Sequence, residues 1–263
     1  MKSRIGFNKQ AASASRKAEK DKQAFYSEKV VYLPESFQAN DDQRKISEKL
    51  PTRREAGLPE SGFVFCSFNN TYKINPPVFD VWMRLLKTVA GSVLWLVADR
   101  LSVENNLRRE AAERGVEPSR LVFAPRVKYA EHLARFRLAD LFLDTLPFNA
   151  GTTASDALWA GVPVLTCAGE AFASRIAGSL LTAVGLPELI THSLKEYEAL
   201  ALKLATTPGM LAELRARLAE NRTTYPLFDT DRFRRHIESA YVAMWQRYQR
   251  GEPPESFAVR AVV

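Results

Sequence analysis

Metal and redox chemistry have little to work with here: the 263 residues include two cysteines and three histidines, with no CxxC or HExxH spacing. No metal centre is expected from such a set. Cys66 and Cys167 fall inside apolar runs. Buried free thiols are expected there rather than a disulfide, which suits a reducing cytosol. No apolar run approaches the ~20 residues needed to cross a bilayer, and MKSRIGFNKQ has no apolar core of a secretory signal. The expected location is cytoplasmic, without a membrane partner.

Charge is present but unevenly placed. Of a net +7, residues 1–23 hold +5, from Lys2, Arg4, Lys9, Arg16, Lys17, Lys20 and Lys22 against Glu19 and Asp21. The remainder is close to neutral, so residues 1–24 read as a solvated, disordered leader and nucleic acid is not an expected partner. At 46% hydrophobic, the rest can bury one substantial core.

Residues 25–61 read as a linker, with Val30–Leu33 as a possible strand. From Gly62 onward, apolar runs alternate with helical patterns. FVFCSF, SVLWLVAD, LVFAP, LADLFLDT and VPVLT are separated by PPVFDVWMRLLKTV, a charged helix near 104–114, a helix near 130–135 and one after Thr153. Strands that are apolar throughout and spaced by helices indicate an α/β fold, a Rossmann-like parallel sheet with helices on both faces. The segment from Leu194 to about Arg250 reads as three further helices, punctuated by Pro208 and Pro226. Ligands of such sheets bind at the strands' carboxyl ends.

Leu141–Arg175 is the most informative stretch. An apolar run ends at Asp144, turn formers Pro147, Asn149 and Gly151 follow, and a helix begins at Thr152 and Thr153. The unpaired N–H groups of a helix start can bind a phosphate. The same spacing fits a capping box, with Thr153 capping the helix and Asp156 closing it.

The run Asp144–Gly161, with Gly169–Leu181, resembles the donor-binding lobe of the O-linked N-acetylglucosamine transferases. The likeness extends through CSFNNTYKI (Cys66–Ile74), VLWLVAD (Val93–Asp99), Leu121–Asp140 and Pro226–Trp245, in the same order. The resemblance implies one lobe of a glycosyltransferase B fold and a UDP-sugar donor, with no metal or other cofactor. It implies as partner a protein acceptor or a separate acceptor lobe. Family members usually also carry tetratricopeptide repeats, yet no 34-residue helical period is visible. The chain reads as half an enzyme.

Three clusters follow from the resemblance. Lys73, beside Asn70, is expected to contact the donor phosphates and serve catalysis by neutralising the leaving diphosphate; read without it, a loop lysine is surface decoration. Val127, Lys128, Tyr129, His132 and Arg135 are expected around the uridine. His132 and Arg135 stand one helical turn apart, so the imidazole can lie on the base and the guanidinium at its edge; a partly buried structural histidine is the alternative. Gly151, Thr152 and Thr153 are expected at the diphosphate and sugar, and Asp156 at the ribose hydroxyls. Animal enzymes carry lysine where Tyr129 stands, proline at Lys128 and histidine at Gly151. The expected function is the donor half of a protein O-N-acetylglucosaminyltransferase acting on Ser or Thr hydroxyls, needing an acceptor lobe for turnover. The alternatives are a non-catalytic nucleotide-sugar-binding or interaction module, and a glycosyltransferase using another UDP-sugar.

Overall fold

Val31–Tyr32 forms the first strand, β1, of a computed structural model that describes residues 26–261; the leader expected over 1–24 lies outside these residues. The next strands, β2 (Val64–Ser67), β3 (Val93–Val97), β4 (Leu121–Ala124), β5 (Leu141–Leu143), β6 (Val164–Cys167) and β7 (Ile190–Thr191), make one six-stranded sheet. Its order is β4-β3-β2-β5-β6-β7 and every pairing is parallel. All residues of β2, β5 and β6 are buried, as continuous apolar runs require when both faces of a sheet are covered.

The cover comes from the helices α1 (Pro76–Thr88), α2 (Leu101–Glu113), α3 (Tyr129–Arg135), α4 (Thr152–Trp159), α5 (Ile176–Ala183), α6 (Leu194–Thr206) and α7 (Pro208–Thr224). Asn75 starts α1 by accepting from the Val78 N–H, with Pro76 in the first turn, where its missing donor costs nothing. The helix then buries Val78, Phe79, Trp82, Leu85 and Leu86. Cys66 and Cys167 are buried free thiols.

α8 (Thr230–Gln249) carries the chain back, and β8 (Phe257–Ala258) pairs in parallel with β1. Val31, Leu33, Ala240 and Val259 form a small separate core there, and His236 Nδ1 lies 3.0 Å from Glu35 Oε2. Neither β7 nor β8 stands out in the sequence: two residues show no period, and their partners are distant in the chain.

The sheet order reverses between β2 and β5. From β2 the chain runs outward through β3 to β4, then crosses back to β5 and continues the other way, leaving a crevice at the carboxyl ends of β2 and β5. A buried chain of bonds holds one lip: Trp82 Nε1 donates to Tyr197 Oη (3.2 Å), and that hydroxyl donates to the Asp144 carbonyl (3.0 Å). Tyr197→Phe leaves both ends unpaired and is expected to cost about 1–3 kcal/mol of stability. Urea unfolding measures it; an unchanged midpoint contradicts the coupling.

Candidate functional site at the sheet crevice

Asn69, the second residue beyond β2, is buried and bridges the crevice. Its Nδ2 donates to Thr145 Oγ1 (3.1 Å) and Asp144 Oδ1 (3.3 Å), and its Oδ1 accepts from Thr153 Oγ1 (2.6 Å). One amide thereby sets the loop after β5 and the first turn of α4 in a fixed relation to β2. Asn70, exposed, accepts from the Tyr72 N–H at 3.4 Å and starts the turn that delivers Lys73. Lys73 Nζ donates to the Asn149 carbonyl (3.0 Å) and lies 4.1 Å from the centre of the Phe148 ring. Burial lowers the lysine's pKa, and the charge of Asp144 opposes the shift. Lys73 therefore rests against the loop that feeds α4.

Asp144 is the hub of that loop. Its Oδ1 accepts from the N–H groups of Thr145 and Ala150, both at 2.7 Å, and its Oδ2 from Thr166 Oγ1 at 2.7 Å. Burial pushes its pKa up to about 6 despite these donors. The sequence marks Asp144 only as a strand end; its signal was an acid ending an otherwise apolar run.

The capping-box reading of Thr153 and Asp156 does not survive. α4 begins at Gly151 with no side-chain cap; Thr153 bonds Asn69, and Asp156 points elsewhere. Asp156 Oδ1 accepts from Tyr129 Oη (2.7 Å) and Arg44 Nη1 (2.8 Å). The local spacing was right for a cap, but long-range partners take both side chains. A Cβ added at Gly151 meets Gln38 Oε1 at 3.3 Å and Ile176 Cγ2 at 3.4 Å, so a side chain at 151 requires the end of the Gln38 side chain to give way slightly.

On the other lip, Arg135 is buried and donates to the Pro125 carbonyl (2.6 Å) and to His132 Nδ1. Burial, helped by the Arg135 charge, brings the His132 pKa down to about 4. A neutral ring that accepts at Nδ1 carries its proton on Nε2. The ring packs against Phe68 (5.5 Å between centres) and Phe136 (5.1 Å). Arg135 is itself brought down to about 10 by burial, and its Nε meets no acceptor among the described residues.

These pieces surround a cavity of about 860 Å³ lined by Asn69, Asn70, Val127, Tyr129, His132, Arg135 and Thr153, among others. Lys73, Lys128, Gly151, Thr152 and Asp156 are outside its lining. Lys128, exposed, precedes α3 without a side-chain cap, and Asp156 stands behind Tyr129. Thr152 lines a second cavity of about 630 Å³, with Gln38, Asn40, Arg44 and Tyr129. The three clusters expected in one crevice thus divide between two neighbouring cavities that share Tyr129. Among the described residues no group of three or more His, Cys, Asp or Glu side chains is placed to hold a metal, and no helix is long and apolar enough to cross a membrane.

The sequence profile of glycosyl transferase family 41 matches residues 38–237. This chain belongs to that family. It is 41% identical over 240 residues to the probable UDP-N-acetylglucosamine–peptide N-acetylglucosaminyltransferase SEC of Arabidopsis thaliana, covering 89% of this chain and 25% of the relative. Against the UDP-N-acetylglucosamine–peptide N-acetylglucosaminyltransferase of Caenorhabditis elegans, identity is 40% over 204 residues, covering 78% of this chain and 18% of that one. The chain therefore spans a quarter or less of the length of these curated relatives. The solved structure of a lysine-to-methionine mutant of the Thermobaculum terrenum O-GlcNAc transferase superposes with a TM-score of 0.74 at 29% identity, over 92% of this chain and 44% of that one. A sucrose-phosphate synthase from Thermosynechococcus elongatus shares the fold, with a TM-score of 0.55 at 15% identity, over 89% of this chain and 56% of that one. The family 41 chain is thus one Rossmann-like lobe of a glycosyltransferase B architecture, as its motifs imply.

Proposed function

We propose that this family 41 chain is the donor-binding half of a protein O-N-acetylglucosaminyltransferase, taking UDP-N-acetylglucosamine as donor and Ser or Thr hydroxyls as acceptors. The observation that carries the reading is that Asn69 ties the end of β2 to the first turn of α4 beside a cavity of about 860 Å³ lined by Thr153, Arg135 and the neutral His132 ring, with Lys73 held against the loop that feeds α4. The uracil lies on the His132 side of the cavity. The diphosphate lies between α4 and Lys73, whose charges supply the counter-charge without a metal. As the bond from sugar to phosphate breaks, the Lys73 ammonium stabilises the phosphate oxygen that gains charge. Positioning the acceptor and removing its proton fall to a second lobe, in keeping with the 44% of the bacterial enzyme that this chain matches.

Calorimetric titration of the purified chain with UDP tests the donor site. Saturable binding that is weakened by Asp156→Ala is expected. A folded chain with no measurable heat favours the interaction-module reading instead. A panel of UDP-sugars, assayed with a supplied acceptor lobe, tests sugar identity, because Gly151 stands where animal enzymes carry histidine.

A further inference from the structure

Each polar atom of the Asn69 side chain is bonded within the protein, and all three partners, Asp144, Thr145 and Thr153, lie on one connection, the segment that runs from β5 into α4. Asn69 itself belongs to the opposite side of the crevice, just beyond β2, and is 2% exposed. The sense of its amide is fixed by its neighbours. Thr145 Oγ1 sends its one proton to the Phe148 carbonyl at 2.7 Å, so towards Asn69 it can only accept. Asp144 Oδ1 already accepts from the N–H groups of Thr145 and Ala150 and, as a carboxylate, has no proton to give. Both therefore require the amide nitrogen on their side. That leaves Oδ1 for α4, where Thr153 donates to it at 2.6 Å.

Lys73 stands a short way beyond Asn69 on the same extension of β2. A second tie joins the two sides there, from Lys73 Nζ to the Asn149 carbonyl at 3.0 Å. It is made by the ammonium that the donor reading assigns to the diphosphate, so Lys73 divides its donors between a carbonyl and a ligand. The Asn69 amide has no such second duty. Losing it does not dismantle the loop either: Asp144 keeps the Thr145 and Ala150 N–H groups and the Thr166 hydroxyl, and Thr145 keeps the Phe148 carbonyl. What goes is the bond from the end of β2 to the first turn of α4.

We propose that Asn69 is a positioning residue of the donor site: it holds the first turn of α4 in register with Lys73, so that the helix N–H groups and the ammonium meet the same diphosphate. The inference rests on the UDP-sugar reading of the crevice and adds a residue that touches no substrate in it. The two counter-charges come from separate segments of the chain, and small misplacements of such groups are costly. In a crevice that has lost its register, Lys73 has less to contribute. The effects of Asn69 and Lys73 on the ligand are therefore coupled, whereas two residues acting independently give effects that multiply.

The test is a calorimetric titration of the full chain with UDP in wild type, Asn69→Ala, Lys73→Ala and the double variant, with a melting curve for each. Each single change is expected to weaken UDP by about tenfold, and the double variant to stay within about threefold of the weaker single one. Asn69→Asp is the conservative variant. With a proton, its carboxyl reproduces the amide, accepting from Thr153 and donating towards Asp144; without one, it sets a second negative charge against Asp144. Its UDP affinity relative to wild type is expected to be about tenfold down at about pH 8 and within about threefold at about pH 5.5. A defect of packing alone does not recover in this way, and because the side-chain volume is kept, Asn69→Asp carries the test if Asn69→Ala does not fold. Single losses that multiply to about a hundredfold in the double variant, or a ratio for Asn69→Asp that is the same at both pH values, overturn the inference and leave the donor site standing. A folded wild type that binds no UDP overturns the donor reading and the inference with it.

Discussion

Lys73→Ala is expected to slow sugar transfer, assayed with an acceptor lobe supplied, by about 10²–10³-fold, while UDP affinity falls only about tenfold. The asymmetry follows from where the charge appears. On the proposed donor site the diphosphate of the bound donor is already met by α4 and its threonines, so one missing cation is expected to be a modest loss. In the transition state the distal phosphate gains charge as the sugar departs, and a cation placed beforehand acts most strongly there. Lys73 is prepared for this: half-buried, with its pKa lowered by desolvation, and held by a single carbonyl and a ring face rather than by a salt bridge. Lys73→Arg keeps the charge but not the compact ammonium, and partial recovery is expected from it. Transfer by Lys73→Ala within threefold of wild type refutes the role.

The second large effect is hidden in wild type. Asp144, raised from 3.8 to about 6 by burial, binds its proton more tightly in the folded chain. Its stabilising contribution is complete below about pH 4 and is lost as pH rises through about 6. His132, lowered from 6.5 to about 4 by burial and the Arg135 charge, does the reverse. Its contribution is complete above about pH 6.5 and is lost as pH falls through about 4. Each shift of about two units corresponds to roughly 3 kcal/mol, so between pH 4 and 6.5 the two slopes nearly cancel. Asp144→Asn removes one slope, and the variant is expected to lose about 3 kcal/mol on going from pH 6.5 to 4. His132→Gln removes the other, and its stability is expected to rise over the same interval. Urea unfolding at four pH values separates them; parallel profiles for wild type and both variants rule the pairing out.

The parts that could be read in the sequence were those where each residue's setting repeats along the chain. The runs VFC, VLWLV and LFL state their burial by being apolar throughout, and the motifs around Lys73, His132 and Thr153 stand at strand ends where a parallel sheet puts its ligands. What escaped was whatever depends on a distant partner. Arg44 stands in NDDQRK, a polar stretch without period, and its meaning lies 112 residues away at Asp156. Thr153 and Asp156 satisfied a local rule that tertiary contacts then overrode. Tyr129 stands where animal enzymes carry lysine, and the structure places a cation beside the same carboxylate from elsewhere in the chain, at Arg44.

The reversal of strand order between β2 and β5 has a further meaning for how such a lobe can change. The crevice exists because connections leave the two strands in opposite directions, so it is a product of the chain's path and not of the side chains that line it. Residues at 128, 129 and 151 sit in loops or first turns at its rim and hold up none of the sheet. Substitution there is expected to alter what the proposed donor site discriminates while the opening between the strands is kept. A scaffold of this kind separates the inheritance of a binding place from the choice of what it binds.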